Sequence, residues 1–246
     1  MIIGSSVRHY EKVSSTNTVA AALLREAMPP EGTVITASFQ ESGRGQAGNS
    51  WESEPGSNLL MSVILYPETV KPWEQFVICQ MISLAVHDLV SLRTGDARIK
   101  WPNDIYVRDD KIAGILIENS IMGDRLGSTV AGIGLNVNQT IFRSDAPNPV
   151  SLAIVTGTGH DLSLITGELL KLIDRRYAMV IMGDTATLQR EYHDVLYRSG
   201  EWHLYRDKGG RFEGLIERVM PDGMLVVRKK NGKTSEYAFK EIDYIL

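Results

Sequence analysis

The sequence predicts a mixed α+β fold, in which a large α and β domain is followed by a small β barrel. From Met1 to Tyr197, long stretches with helical apolar spacing alternate with short apolar strands. From Arg198 to Leu246 the helical spacing disappears, and four strand patterns follow one another across glycine-containing turns. The 246 residues, 43% hydrophobic and 23% charged, suffice for one large core with a smaller companion, so the boundaries are set at 1–197 and 198–246.

The elements are expected in this order. A helix over Thr16 to Ala27 precedes strands over Thr33 to Phe39 and Asn58 to Tyr66. A second helix is expected over Trp73 to Leu92, because Phe76, Cys79, Ile82, Val86, Leu89 and Val90 approximate one face and Gly95 follows as a stop. Short strands then cover Ile99 to Trp101, Ile105 to Val107, Ile112 to Glu118 and Thr129 to Val137, with a polar turn at Arg108 to Lys111. Helical spacing returns at Leu164 to Met182 and Thr185 to Leu196. The closing strands are Glu201 to Arg206, Arg211 to Val219, Met224 to Arg228 and Ser235 to Phe239. Their turns contain Lys208-Gly209-Gly210, Pro221-Asp222-Gly223 and Asn231-Gly232, the last being a two-residue hairpin signal.

Composition narrows the function classes. With 26 basic and 30 acidic residues the formal charge is −4, so no general attraction to nucleic acid or anionic membrane is expected. The run Arg228-Lys229-Lys230 reads better as a solvated hairpin end than as a nucleic-acid contact. The sequence shows neither a secretion signal nor a stretch approaching a membrane span, and its one cysteine, Cys79, lies in an apolar stretch as a buried hydrophobe. A cytoplasmic protein is expected. The five histidines, His9, His87, His160, His193 and His203, are scattered and share no metal-ligand spacing with Cys79, so no protein metal site and no separate nucleophile are expected.

Four segments carry chemistry. Gly43-Arg44-Gly45-Gln46-Ala47-Gly48-Asn49-Ser50-Trp51 has the spacing of a dinucleotide turn but promises no helix after it. As a P-loop it lacks the lysine. What is left is a backbone-exposing loop with one cation, Arg44, and one indole, Trp51. It fits either a nucleotide-closing loop or a surface loop whose Trp51 packs inward. In Lys100-Trp101-Pro102-Asn103-Asp104, Pro102 keeps Trp101 extended while Asn103 and Asp104 serve a turn or a ligand. Lys111, beside Ile112-Ala113-Gly114, is either a solvated strand end or a partner for a carboxylate. Ala131-Gly132-Ile133-Gly134-Leu135-Asn136 places glycines in a buried strand, for a bulge or for close approach by a ligand or another backbone. Ser14-Ser15-Thr16-Asn17 supplies N-caps or holds a polar ligand head.

In this order, the four segments resemble the catalytic core of biotin protein ligases, closely from Ser15 to about Asn138 and loosely beyond. The resemblance implies a mixed-sheet catalytic core of the biotin/lipoate ligase type with a C-terminal SH3-like barrel. It implies two steps with ATP, biotin and Mg2+: formation of biotinyl-5′-AMP and pyrophosphate, then transfer of the biotinyl group to a lysine of a biotin carboxyl carrier protein. By motif, Ser15, Thr16 and Gln40 would hydrogen-bond the biotin ring system, with Asn17, Gly43, Gly45 and Gln46 beside them, and Gly114 and Gly132 would let the backbone approach. Arg44 and Lys111, the catalytic pair, would hold the carboxylate and α-phosphate. Trp51, Asn103 and Asn136 would recognise the adenine side, and Gln46 would also serve ATP.

One position departs from the pattern. The family's loop commonly reads Gly-Arg-Gly-Arg, whereas the second arginine is Gln46 here, and Ala47 and Asn49 replace further basic residues. Glutamine supplies no charge, so weaker adenylate retention is expected. With about a dozen residues before Ser15, no helix-turn-helix repressor domain is expected. Homodimerisation stays open. The rivals are a lipoate or octanoate transferase, a non-catalytic biotin or adenylate binder, and a nucleic-acid-binding barrel resting on Arg228 to Lys230.

Overall fold

In a computed structural model, which describes residues 1–144 and 146–245 and only the backbone of Ala47, the chain builds two sheets. Residues Val7–Val13 (β1) precede the helix Thr16–Glu26 (α1) and strands Val34–Gln40 (β2) and Leu59–Leu65 (β3). The helix Phe76–Thr94 (α2) leads to Ala97–Lys100 (β4), Asp104–Val107 (β5), Asp110–Met122 (β6) and Arg125–Leu135 (β7). Three helices follow: Leu152–Thr156 (α3), Leu162–Ile181 (α4) and Thr185–Asp194 (α5). The chain ends in Trp202–Asp207 (β8), Gly210–Val219 (β9), Leu225–Lys229 (β10), Thr234–Tyr237 (β11) and Asp243–Tyr244 (β12).

The seven-stranded sheet runs β1-β2-β3-β7-β6-β5-β4, with β1 parallel to β2 and every other pair antiparallel, so it is mixed as expected. Alternation of side chains divides its interior. Ile35, Ile64 and Val130 meet Ala20 of α1 on one face. Their neighbours Val34, Val63, Leu65, Ala131 and Ile133 join the larger core with α2, α4 and α5 on the other. The second sheet, β11-β10-β9-β8-β12, is antiparallel throughout. Its β10–β11 connection is a three-residue loop, Lys230-Asn231-Gly232, rather than the expected two-residue hairpin: the Lys229 N–H donates to the Lys233 carbonyl at 2.8 Å, and of Asn231 and Gly232 only the glycine has a positive φ, 81°.

Several expectations are corrected. The second helix starts at Phe76 rather than Trp73, because Pro72–Glu74 forms a separate 3-10 turn that leaves Trp73 exposed. It ends on Gly95 in the left-handed region, at φ 72°. Contrary to the membrane reading of the sequence, Pro72–Thr94 is long and apolar enough to cross a bilayer by length and composition, containing an 18-residue window of mean hydropathy 1.5. Yet 72% of that window is buried inside the fold, which is where a core helix puts its apolar surface. Strand β1 was not expected from the sequence: six of its seven residues are exposed, so it carries no core pattern. The basic run at the end of β10 faces acids of β8 and β9: Arg228 meets Glu217 at 3.0 Å, Lys229 meets Asp207 at 2.7 Å and Lys230 meets Glu213 at 2.7 Å.

Candidate functional site

On the α1 side of the large sheet, the start of α1, the glycine loop and the middle of β6 and β7 enclose a cavity of about 360 Å³. Its position follows from register. Gly132 pairs with Leu116 and Ser62, and Gly134 with Gly114 and Leu60, so the glycines of β6 and β7 lie side by side on one face. The strands carry no side chain there, and a concave floor results.

At one end, α1 begins with Ser15, whose side chain makes no cap hydrogen bond. The orphan amide of Thr16 instead donates to Gln40 Oε1 at 2.8 Å, and the Thr16 hydroxyl lies 3.1 Å from the same oxygen. Ser62 Oγ on β3 is 2.8 Å from Thr16 Oγ1 and 2.6 Å from Asn17 Oδ1. Asn17 is pressed onto the floor so tightly that a Cβ on Gly132 would stand 2.1 Å from Asn17 Oδ1. Glycine is required there by this chain's own amide. Ser15, Thr16, Asn17 and Gln40 all line the cavity.

The glycine loop closes over the floor as a small hairpin. Trp51 donates to the Gly43 carbonyl at 2.9 Å and Gly45 to the Asn49 carbonyl at 2.7 Å, while Gln46–Gly48 makes a 3-10 turn at the tip. Arg44, Gly45, Gln46 and Trp51 face the cavity. The Trp51 indole lies across β6 and β7, such that a Cβ on Gly134 would stand 2.5 Å from it and one on Gly114 3.0 Å. Its Nε1 is buried without a hydrogen-bond partner among the described residues. Arg44 pairs with Glu118 at 2.7 Å.

At the other end, the β5–β6 hairpin fixes Lys111. Its N–H donates to Asn148 and its carbonyl accepts from Val150, at 2.8 and 2.9 Å. The Lys111 ammonium meets Asp104 Oδ1 at 2.7 Å and stands 5.8 Å from the centre of the Trp51 ring. Asn103 lines the cavity and donates its Nδ2 to the Ile115 carbonyl of β6. Lys100 also lines it, held between the Tyr106 and Tyr244 rings at 4.9 and 5.1 Å. Burial, the largest influence, lowers the pKa of its ammonium below the usual lysine range, with Lys111 and Arg198 adding repulsion and Asp104 opposing them.

The motif assignments therefore converge, with two exceptions. Gly43 sits behind Trp51, where a Cβ would meet the Trp51 carbonyl at 2.4 Å, and does not line the cavity. Asn136 is also off the wall: its buried amide donates to the Val150 carbonyl at 3.0 Å, tying the end of β7 to the segment before α3. Sequence reasoning missed the wall supplied by Phe239, Lys240, Ile242, Asp243 and Tyr244. Trp101 anchors that wall, donating to the Gly223 carbonyl at 2.9 Å and meeting Phe239 edge-on. Asp104 and Gly134 were within the segments singled out but had received no role. Their signals were the carboxylate two residues after Pro102 and the second glycine of the alternating strand. Among the described residues, no group of three or more His, Cys, Asp and Glu could hold a metal ion.

Comparison with known proteins agrees with this architecture. The bifunctional ligase/repressor BirA of Bacillus spizizenii is 28% identical over 96% of this chain and 74% of its own length. Biotin–protein ligase 2 of Arabidopsis thaliana is 37% identical over 80% of this chain and 60% of its own. The solved biotin protein ligase of Aquifex aeolicus, in complex with biotin and ATP, superposes with a TM-score of 0.79 at 23% identity, covering 97% of this chain and 98% of that one. That likeness establishes the shared fold. Residues 10–138, more than half the chain, match the model of the biotin/lipoate A/B protein ligases, and the chain belongs to that family.

Proposed function

We propose that this chain is a biotin protein ligase, which joins biotin to ATP as biotinyl-5′-AMP and then passes the biotinyl group to a lysine of a biotin carboxyl carrier protein. The observation carrying this reading is the convergence of two cations, Arg44 and Lys111, on one cavity whose far end presents the hydroxyl-rich start of α1. A polar ring held near Ser15, Thr16 and Gln40 sends its carboxylate chain along the glycine floor toward the cations. There a biotin carboxylate oxygen attacks the α-phosphorus, forming the acyl–phosphate bond as pyrophosphate leaves. Two aligned cations offset the charge gathering on the phosphate oxygens and on the departing pyrophosphate. In the second step the neutral carrier amine attacks the acyl carbon, an amide bond forms, AMP leaves and the amine gives up its proton.

The adenine side is assigned to Trp51 and Asn103, with the Trp51 indole supplying an apolar face. Magnesium fits here as an ion carried on the nucleotide, because it favours phosphate and water oxygens with one or two carboxylates. Asp104 and Asp243 are cavity-lining carboxylates of that kind, and the ion would neutralise phosphate charge. The same proposal divides the chain into a catalytic region, 1–197, and an SH3-like region, 198–246, and places the protein in the cytoplasm. It leaves open a homodimer.

The plant relative, named a biotin–protein ligase, favours biotin over the lipoate and octanoate substrates used elsewhere in the family. Pyrophosphate–ATP exchange decides between them. Biotin-dependent exchange supports the ligase, octanoate-dependent exchange supports a ligase that activates that acid instead, and no exchange with either leaves a transferase, which uses an already activated acyl group, or a binding protein.

A further inference from the structure

Glu118 closes the segment Lys111 to Glu118 and has no role in the chemistry described so far. It pairs with Val130, two steps along β6 from Leu116, on the face that meets α1. One carboxylate oxygen accepts from Asn17 Nδ2 at 2.7 Å. The other accepts from Arg44 Nη2 at 2.7 Å, with Arg44 Nη1 3.5 Å from the first. Asn17 is itself fixed by Ser62 Oγ and by the close fit over Gly132, so Glu118 is held in place independently of Arg44. The carboxylate therefore belongs to the rigid end of the site, while its partner belongs to the loop.

The strength of the pair determines what it does. Both side chains are partly exposed, Arg44 at 49% and Glu118 at 36%, which is the regime of weak, exchangeable ion pairs. Such a pair does not lock the loop. It does give the guanidinium an internal anion of the same shape and charge as the carboxylate of the proposed substrate.

We infer that Glu118 is a positioning residue that competes with the substrate carboxylate for Arg44, so that Arg44 is transferred from an internal anion to the ligand's anion when biotin binds. This rests on the reading of the site as a biotin site. Discrimination is the consequence: a ligand bearing an anion at this point recovers the ion pair it breaks, and a neutral one leaves Arg44 on Glu118.

The test measures binding of biotin and of biotinol, in which a neutral hydroxyl replaces the carboxylate, to wild type and Glu118→Gln. The glutamine keeps an acceptor for Asn17 and removes the charge. Glu118→Gln is expected to tighten biotin about fivefold, equivalent to about 1 kcal/mol, and to leave biotinol unchanged. In an Arg44→Gln background the same substitution is expected to do nothing. Glu118→Asp, which keeps the charge on a shorter arm, is expected to give a smaller shift in the same direction and supplies the result should the glutamine variant fail to fold. Equal shifts for the two ligands, or weaker biotin binding in Glu118→Gln, would overturn the proposal by making Glu118 a purely structural support. A wild-type chain that binds neither ligand would instead remove the biotin reading beneath it.

Discussion

Two of the cations lining the cavity, Arg44 and Lys111, are each paired with a carboxylate, yet they are held in opposite ways. Lys111 sits on a hairpin, hydrogen-bonded through its own backbone to Asn148 and Val150, and its ammonium and Asp104 are each less than a third exposed. Arg44 sits in a loop that closes through its own backbone, about half exposed, and reaches across to a strand for Glu118. A cation on a strand is placed before any ligand arrives, whereas one on a loop can follow a ligand from one anion to another. Preorganised charge lowers a barrier and movable charge governs capture, so the two cations should fail differently when removed.

The largest effect should come from Lys111→Ala. Removing one preorganised charge-stabilising group costs about a hundred- to a thousand-fold in turnover, and biotin-dependent pyrophosphate exchange should fall by that much with biotin binding nearly intact. Arg44→Ala should divide the loss the other way, raising the biotin KM and releasing adenylate early. Identical kcat and KM profiles for the two variants would end the distinction.

Next in size is Gly134→Ala. Its Cβ would stand 2.5 Å from the Trp51 indole, which must then leave the floor. The indole lies toward Lys111, so the expected outcome is an ATP KM raised about tenfold, or about 1.4 kcal/mol, with unchanged thermal stability because a loop side chain absorbs the clash. Unchanged ATP kinetics would show that Trp51 serves packing alone.

Smaller again is Gln46→Arg. Gln46 lines the cavity at the loop tip but brings no charge. A guanidinium there should lengthen the half-time of biotinyl-AMP release several-fold in a rapid-dilution assay, since one charge-assisted contact contributes about 1 kcal/mol or more. Equal half-times would mean that Arg44 alone sets retention at the loop end.

Much of this site was legible because its parts are local. Helix periodicity placed α1 and α2, and the glycine alternation of Gly132 and Gly134 marked a floor that does meet side chains closely. Those side chains are this protein's own Asn17 and Trp51, which strand glycines alone do not reveal. The wall at Phe239 to Tyr244 was illegible for a different reason: it reaches the cavity through Trp101 and Gly223, 122 positions apart, and no local motif encodes such an approach. Asn136 misled because its motif position is beside the site while its amide turns away to Val150. Strand β1 escaped because an exposed edge strand needs backbone partners rather than a buried face.

That distant wall offers the smallest test of the rigid end. His193, on α5, accepts a hydrogen bond from the Val219 amide of β9 at 2.7 Å, joining the helical layer to the sheet that carries the wall. Burial, its largest influence, lowers the pKa of the ring, with the Gln189 carbonyl and the Asp194 carboxylate opposing it. A base whose folded pKa is depressed binds fewer protons folded than unfolded, so stability rises with pH. The loss begins as pH falls through the unfolded value of about 6.5 and is complete below the lower folded value. Protonation also turns the acceptor nitrogen into a donor facing the Val219 N–H. With one hydrogen bond contributing about 1 kcal/mol and a chain of this size shifting about 2–4 °C per kcal/mol, the thermal midpoint of wild type should drop by a few degrees on acidification through that window. His193→Gln retains an acceptor without the titration and should not show the extra drop. Parallel curves for the two proteins would mean that the junction is held by its apolar packing, and that the wall beside Lys111 owes nothing to this histidine.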